Sequence, residues 1–265
     1  MMVKESITSR QNAKVKHLIS LQKSRIRNLE RLFVIEGIKE IEKALLSGYR
    51  FKEVYFCPQI IPFDTVLKQF GRLPECPVYE LSRDVYQKIA YRENTEGIVV
   101  LAEMPENSHT LAPNNNPLYL VIEGVEKPGN LGAIYRTADA AGVDAVIICD
   151  PKADIYNPNA IRASLGCVFT VPTLITTNAE AIARLKVCGI QVVSTYLKAA
   201  IPYHHVDFNR PTAIVMGTEA TGITQEWVEA SDYHIIIPMQ GMADSMNVSV
   251  STAVVVFEAR RQRGF

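Results

Sequence analysis

Between Leu118 and Pro238 the chain repeats one pattern: a short, almost wholly apolar run, a turn or a stretch with helical spacing, and then another apolar run. The runs are LYLVIEG, DAVIICD, VFTVPTLI, GIQVVSTY, TAIVMG and HIIIP. A strand with one wet face alternates apolar and polar residues, so runs this apolar belong to strands buried on both faces. With helical segments between most of them, they predict an α/β fold built on a parallel sheet covered by helices. In such sheets ligands sit outside the carboxyl ends of the strands.

Three segments fall at such ends. The first is PGNLGAIYRTADAAG. Here Pro128-Gly129 reads as a turn, Asn130 as the N-cap of a helix and Gly142 as its stop. Leu131, Ile134, Tyr135, Ala138 and Ala141 form the apolar stripe, and Arg136 points away from it. Arg136 is flanked by small residues, so it can either meet a ligand or pair with Asp139 on the helix surface. The second segment, IVMGTEATGI, sets Gly217, Glu219 and Gly222 after an apolar strand, where glycine admits close approach to backbone and a carboxylate accepts hydrogen bonds. The third, Met239 to Asn247, is a polar, glycine-containing loop between HIIIP and NVSVSTAVVVFEARRQR. Gly241, Ser245, Asn247 and Ser249 offer hydrogen-bonding groups without bulk, so this stretch is either a surface turn or a site. The final segment fits a strand, with Val248, Val250, Val254 and Val256 alternating, and fits a helix equally well.

The first hundred residues have a different character. SRQNAKVKHLISLQKSRIRNLERLF reads as one helix with Val15, Leu18, Ile19 and Leu21 on its apolar side and Lys14, Lys16, Lys23, Arg25, Arg27 and Arg31 around it. FVIEG, FKEVYFCP, VYEL and EGIVVLAE read as strands; KEIEKALLSG reads as a helix closed by Gly48, and SRDVYQKIAY as a helix capped by Ser82. Together they predict a compact α/β domain over residues 1–103. MPENSHTLAPNNNP, residues 104–117, reads as a linker, and residues 118–265 as a second domain. Charge follows the same division. Net charge is zero, yet residues 1–52 hold 12 Lys and Arg against 5 Asp and Glu, so the remainder carries an equal and opposite excess. A basic segment on an otherwise acidic protein suits contact with a polyanion or a solvated helix face.

Other classes lack support. There is no Walker A sequence, no GxGxxG, no GxSxG and no HExxH. The five cysteines show no metal-ligand spacing, so no metal is expected. No apolar run reaches the length of a bilayer span, and a cytoplasmic protein without membrane contact is expected.

Taken together, the three segments resemble the three motifs of the SpoU (TrmH) family of RNA ribose 2′-O-methyltransferases, in the SPOUT superfamily. Asn130, Gly132, Arg136 and Thr137 match the first motif; Gly217, Glu219 and Gly222 the second; Pro238, Ser245, Asn247 and Ser249 the third. Residues 1–103 resemble the family's small, ribosomal-protein-like RNA substrate-binding domain. The resemblance implies a SPOUT domain with a trefoil knot near residues 235–250, a helix for the final segment, and a homodimer with the active site near the subunit interface. It implies S-adenosyl-L-methionine as cofactor, held around Met216, Gly217, Ile237, Pro238 and Met246, the last standing where the family usually has leucine. It also implies that Asn130, Arg136, Glu219, Ser245 and Asn247 line the catalytic pocket. Since a guanidinium stays protonated, Arg136 is expected to hold a phosphate and the developing alkoxide rather than to act as a free base. RNA is the expected partner because only RNA carries a 2′-hydroxyl, with ribosomal RNA of the large subunit preferred to transfer RNA. Lys14, Lys16, Lys23, Arg25, Arg27 and Arg31 are expected to follow the phosphate backbone. A silent RNA-binding protein of the same fold and a small-molecule enzyme on an α/β scaffold are the competing readings.

Overall fold

A computed structural model describes residues 3–70, 76–91, 96–106, 115–198, 200–218 and 221–265. The chain forms two compact units, one of residues 1–106 with 156–170 and the other of residues 107–155 with 171–265. Of the segment 104–117 read as a linker, residues 107–114 lie outside the described residues.

The first unit begins with β1 (Val3–Ile7), α1 (Ala13–Ser20), α2 (Ser24–Glu30), β2 (Leu32–Glu36) and α3 (Ile38–Leu46). It continues with β3 (Phe51–Phe56), α4 (Phe63–Phe70), β4 (Val78–Leu81), α5 (Arg83–Ile89) and β5 (Ile98–Glu103). The strands make one mixed sheet in the order β1-β4-β3-β5-β2. On one face Ile7, Leu18, Tyr55, Tyr79, Val85 and Tyr86 pack into a core, with the Tyr55 and Tyr79 rings stacked at 5.2 Å. Ser82 caps α5 by accepting from the Val85 amide, as expected.

The basic helix read over residues 9–33 is two helices. The break falls at Leu21–Lys23, and Arg27, only 1% exposed, turns back on it. Its guanidinium donates to the Leu21 and Gln22 carbonyls at 2.8 Å each, satisfying oxygens that the end of α1 leaves open. Periodicity read Arg27 as a surface donor; burial makes it a structural one.

The second unit opens with β6 (Leu118–Glu123), α6 (Pro128–Ala140) and β7 (Ala145–Cys149). There follow α7 (Pro158–Ala163) and α8 (Cys167–Thr170), both belonging to the first unit. The chain then returns through β8 (Thr173–Thr176), α9 (Asn178–Val187), β9 (Gln191–Thr195), β10 (Ile201–Pro202), β11 (Thr212–Met216), α10 (Gln225–Ala230), β12 (Tyr233–Ile236) and α11 (Val248–Arg263). Among the described residues seven strands pair in the order β10-β12-β9-β11-β6-β7-β8, and every pairing is parallel. β6, β7 and β11 are buried along their whole length, which is why their sequences lack alternation.

Two readings of this half need correction. The VFTV half of VFTVPTLI is the short helix α8, where Phe169 lies 4.9 Å from the Tyr49 ring and 5.9 Å from Phe33. The first motif helix starts at Pro128, not after Asn130, because proline's fixed φ suits the first helical position and its missing N–H costs nothing there. The final segment is helical, burying Val248, Thr252, Val255, Val256 and Ala259.

The last turns of α11 are fastened to backbone. Arg260 donates to the carbonyls of Ala141 and Gly142. Gln262 accepts from the Phe208 amide at 2.9 Å and donates to the Val206 carbonyl at 3.1 Å. Arg263 gathers the carbonyls of Phe208, Asn116, Pro117 and Arg210. Among the described residues no helix is long and apolar enough to cross a membrane, and no cluster of His, Cys, Asp or Glu is placed to hold a metal ion.

Candidate active site

The carboxyl ends of β9, β11 and β12 open into a cavity of about 490 Å³, within the usual range for a small-molecule site. One wall is Met216, Gly217, Thr218, Thr221, Gly222 and Ile223, and a second is Ile235, Ile236, Ile237 and Met239. A third is Asp244, Ser245, Met246, Val248 and Ser251, and Thr195–Lys198 after β9 completes the rim. The lining is mostly apolar with a few hydroxyls and backbone groups, which suits a ligand with an aromatic base and polar ends.

Gly217 fits because of a turn in the chain itself. Thr218 and Gly222 exchange two backbone hydrogen bonds at 3.0 and 3.1 Å, and Gly222 takes φ +69°, a left-handed value that favours glycine. The loop closes so tightly that a Cβ on Gly217 would sit 2.3 Å from the carbonyl carbon of Gly222 and 2.5 Å from the Ile223 nitrogen. Thr218 and Thr221 hydroxyls meet at 2.8 Å at the turn's exposed edge.

The third motif starts α11. The Asn247 side chain accepts from the Ser249 amide at 3.0 Å and hydroxyl at 2.6 Å, forming the N-cap. Its amide nitrogen also donates to Asn130 Oδ1 at 3.2 Å, tying the third motif to the first turn of α6. Near that turn, Lys152 bonds Glu126 at 2.8 Å and holds its carboxyl below the usual range. At the end of β7, burial pushes the Cys149 thiol up to about 12.

Of the residues read from the sequence for cofactor binding, Met216, Gly217, Ile237 and Met246 line the cavity; Pro238 is not among its described lining residues. Of those read as catalytic, Ser245 lines it, Asn130 and Asn247 are bonded to each other, and Arg136 stands exposed on α6. Glu219 lies outside the described residues. In the first unit Lys16, Lys23, Arg25 and Arg31 are exposed. Lys14 is half-buried, bonded to Glu53 at 2.5 Å and lying 4.4 Å over the Tyr79 ring, and Arg27 is buried.

Sequence reasoning missed the rim after β9 and the buried carboxylate of Glu123. Both were signalled weakly. GIQVVSTY ends a strand, where ligands gather, and LYLVIE closes an otherwise apolar run with an acid.

Comparison with known proteins adds the decisive observation. Residues 117–257 match the model of the SpoU rRNA methylase family. The chain belongs to that family. Residues 12–100 match the MRM3-like substrate-binding domain, so the SpoU domain is preceded by a substrate-binding domain. Among relatives, 23S rRNA (guanosine(2553)-2′-O)-methyltransferase RlmP of Bacillus subtilis is 31% identical over 97% of this chain and 99% of its own. The tRNA (guanosine(18)-2′-O)-methyltransferase of Escherichia coli is 42% identical over 58% of this chain and 67% of its own. A solved structure, the AdoMet-bound rRNA methyltransferase from Sinorhizobium meliloti, superposes with TM-score 0.88 at 31% identity, covering 99% of both chains. The crystal structure of an RNA 2′-O ribose methyltransferase gives TM-score 0.86 at 38% identity, covering 97% of this chain and 99% of that one.

Proposed function

We propose that the protein transfers a methyl group from S-adenosyl-L-methionine to a ribose 2′-hydroxyl of large-subunit ribosomal RNA. The observation that carries this reading is the convergence of the second and third motifs on one cavity, with the Asn247–Asn130 bond joining the first motif to the third. A relative whose likeness spans nearly the whole chain acts, by its name, on 23S rRNA, whereas the likeness to the tRNA (guanosine(18)-2′-O)-methyltransferase covers little more than half. That difference favours ribosomal over transfer RNA.

The residues present fit the cofactor. The glycine turn at Gly217–Gly222 exposes backbone groups, Ile235–Ile237 and Met246 supply apolar surface for a purine, and Ser245 and Asp244 supply polar groups for the amino-acid end. When bound, the cofactor supplies an electrophilic sulfonium methyl. The protein's own part is orientation and charge stabilisation. Arg136 holds an RNA phosphate and the developing alkoxide, and Asn130 or Ser245 completes the hydrogen bonding. Exposed Lys16, Lys23, Arg25 and Arg31 give affinity for the RNA backbone.

The site is completed in a homodimer, a reading supported by the exposure of Arg136 and by Val250 and Phe257, 49% and 39% exposed on α11. The family's trefoil knot, formed near residues 235–250, and a cytoplasmic location belong to the same reading.

The test is transfer of labelled methyl from S-adenosylmethionine to ribosomal RNA lacking the modification, with Arg136→Ala and Arg136→Lys beside the wild type and the product mapped by ribose-methylation-sensitive cleavage. Label at one position, lost in Arg136→Ala and strongly reduced in Arg136→Lys, is the expected result. Near-normal turnover by Arg136→Lys sinks the bidentate role, and tight RNA binding with neither label nor cofactor binding sinks the enzyme reading.

A further inference from the structure

We propose that Glu123 is a positioning residue for the cofactor, its two carboxylate oxygens fixing one wall of the cavity in place. The inference rests on the cofactor reading above and extends it to a residue outside the three motifs.

Glu123 ends β6 and is only 4% exposed. A carboxylate so buried is costly unless its oxygens are bonded, and both are. One accepts from the Asn178 side-chain amide at 2.6 Å, the other from the Thr224 backbone N–H at 2.8 Å. Asn178, 6% exposed at the start of α9, uses its remaining oxygen to accept from Trp227 Nε1 at 2.8 Å. Only one orientation of the Asn178 amide satisfies both neighbours, because the carboxylate can only accept and the indole can only donate. The result is a closed chain of donors and acceptors linking β6, α9 and α10.

What that chain holds is the cavity wall. Thr224 and Trp227 do not line the cavity, but Gly222, Ile223, Gln225 and Val228, on either side of them, do. Thr224 is the N-cap of α10, and its own amide is held by the Glu123 carboxylate at the end of β6. Moving that amide moves the wall against which a ligand packs. A wall that shifts gives up packing contacts with the ligand, and affinity falls with them.

Glutamine at 123 preserves shape and removes one acceptor. Its amide can serve Thr224 or Asn178, not both, and flipping Asn178 to compensate would set an NH2 against the Trp227 N–H. A second substitution, N178D, repairs this. In E123Q/N178D the glutamine accepts from Thr224 and donates to the new carboxylate, whose second oxygen accepts from the indole, and the buried negative charge is kept.

The experiment measures S-adenosylmethionine affinity by calorimetry for the wild type, E123Q and E123Q/N178D, together with RNA affinity and the emission of Trp227, the chain's single tryptophan. Expected for E123Q, which loses a hydrogen bond to a buried carboxylate, is cofactor binding ~10-fold weaker and an altered tryptophan emission, with RNA affinity within about twofold of wild type; the double variant regains wild-type affinity and emission. Wild-type cofactor affinity in E123Q, or a double variant as weak as E123Q, overturns the proposal. If E123Q does not fold, the double variant is set against the wild type: equal cofactor affinity and emission support the proposal, and cofactor affinity ~10-fold or more below the wild type overturns it. A wild type that binds no cofactor refutes the proposed function instead, which keeps the two failures distinct.

Discussion

Replacing Gly217 with alanine tests the cavity at its tightest point. The added methyl would lie 2.3 and 2.4 Å from the carbonyl carbon and oxygen of Gly222 and 2.5 Å from the Ile223 nitrogen. These are backbone atoms with no rotamer to change, so relief requires the Gly222–Ile223 segment to withdraw by about 1 Å to reach ordinary contact distance. Withdrawal breaks the paired Thr218–Gly222 hydrogen bonds, a loss of about 1–3 kcal/mol at ~0.5–1.5 kcal/mol each. For a chain of this size that corresponds to a fall of roughly 2–4 °C in Tm per kcal/mol. The larger effect is on the ligand, because Gly217, Thr218, Thr221, Gly222 and Ile223 all face the cavity. If the same ~1–3 kcal/mol is lost from ligand binding, cofactor affinity falls by about 5- to 150-fold. Differential scanning calorimetry and titration calorimetry on G217A read the two effects separately. A variant that melts and binds S-adenosylmethionine like the wild type would refute the steric argument outright.

Further predictions come from the first unit. Arg27→Ala removes the donor to two carbonyls at the end of α1 and should destabilise the protein by about 2–4 kcal/mol; the slope of RNA affinity against salt stays unchanged. Lys23→Ala/Arg25→Ala should do the reverse, leaving Tm within a degree or two and lowering that slope by up to ~0.7–0.9 per lost phosphate contact. Tyr55 and Tyr86 are fully buried, and desolvation raises both phenols above their ordinary 10.0. Their folded values lie above the unfolded one, so their contribution to stability is complete below pH ~10 and is lost as pH rises beyond it, because the unfolded chain ionises first. Urea unfolding between pH 9 and 11 should show stability falling above pH ~10 with a slope approaching 1.4 kcal/mol per unit for each tyrosine. A flat profile over that range would exclude it.

How much of this was legible in the sequence depended on whether local pattern and tertiary packing agreed. The strands β6, β7 and β11 could be read directly, since burial on both faces leaves a nearly unbroken apolar run. β1 could not, because Ile7 alone of VKESI is buried. The break between α1 and α2 was hidden by Arg27, which periodicity treats as a surface residue and the fold uses as a cap. The VFTV segment has strand composition, but Phe169 is claimed by the Phe33 and Tyr49 rings, and local propensity yields to that packing. In the site, Gly217 was legible as a glycine needed at a strand end. The physical reason, a clash with Gly222 rather than with a ligand, was not. Nor was the Glu123–Asn178–Trp227 chain, whose members lie 55 and 49 positions apart in sequence and meet only in the folded sheet.

The anchoring of the last turn of α11 has a consequence for how the protein comes into being. A ribosome extrudes the chain from its N-terminus, so the carbonyls of Asn116, Pro117, Ala141, Gly142, Val206, Phe208 and Arg210 are all made long before Arg260, Gln262 and Arg263 arrive to bond them. Until then α11 lacks these fastenings. The sheet can assemble during synthesis, but α11 is fastened to it only later, by three side chains that close over backbone written more than fifty residues earlier.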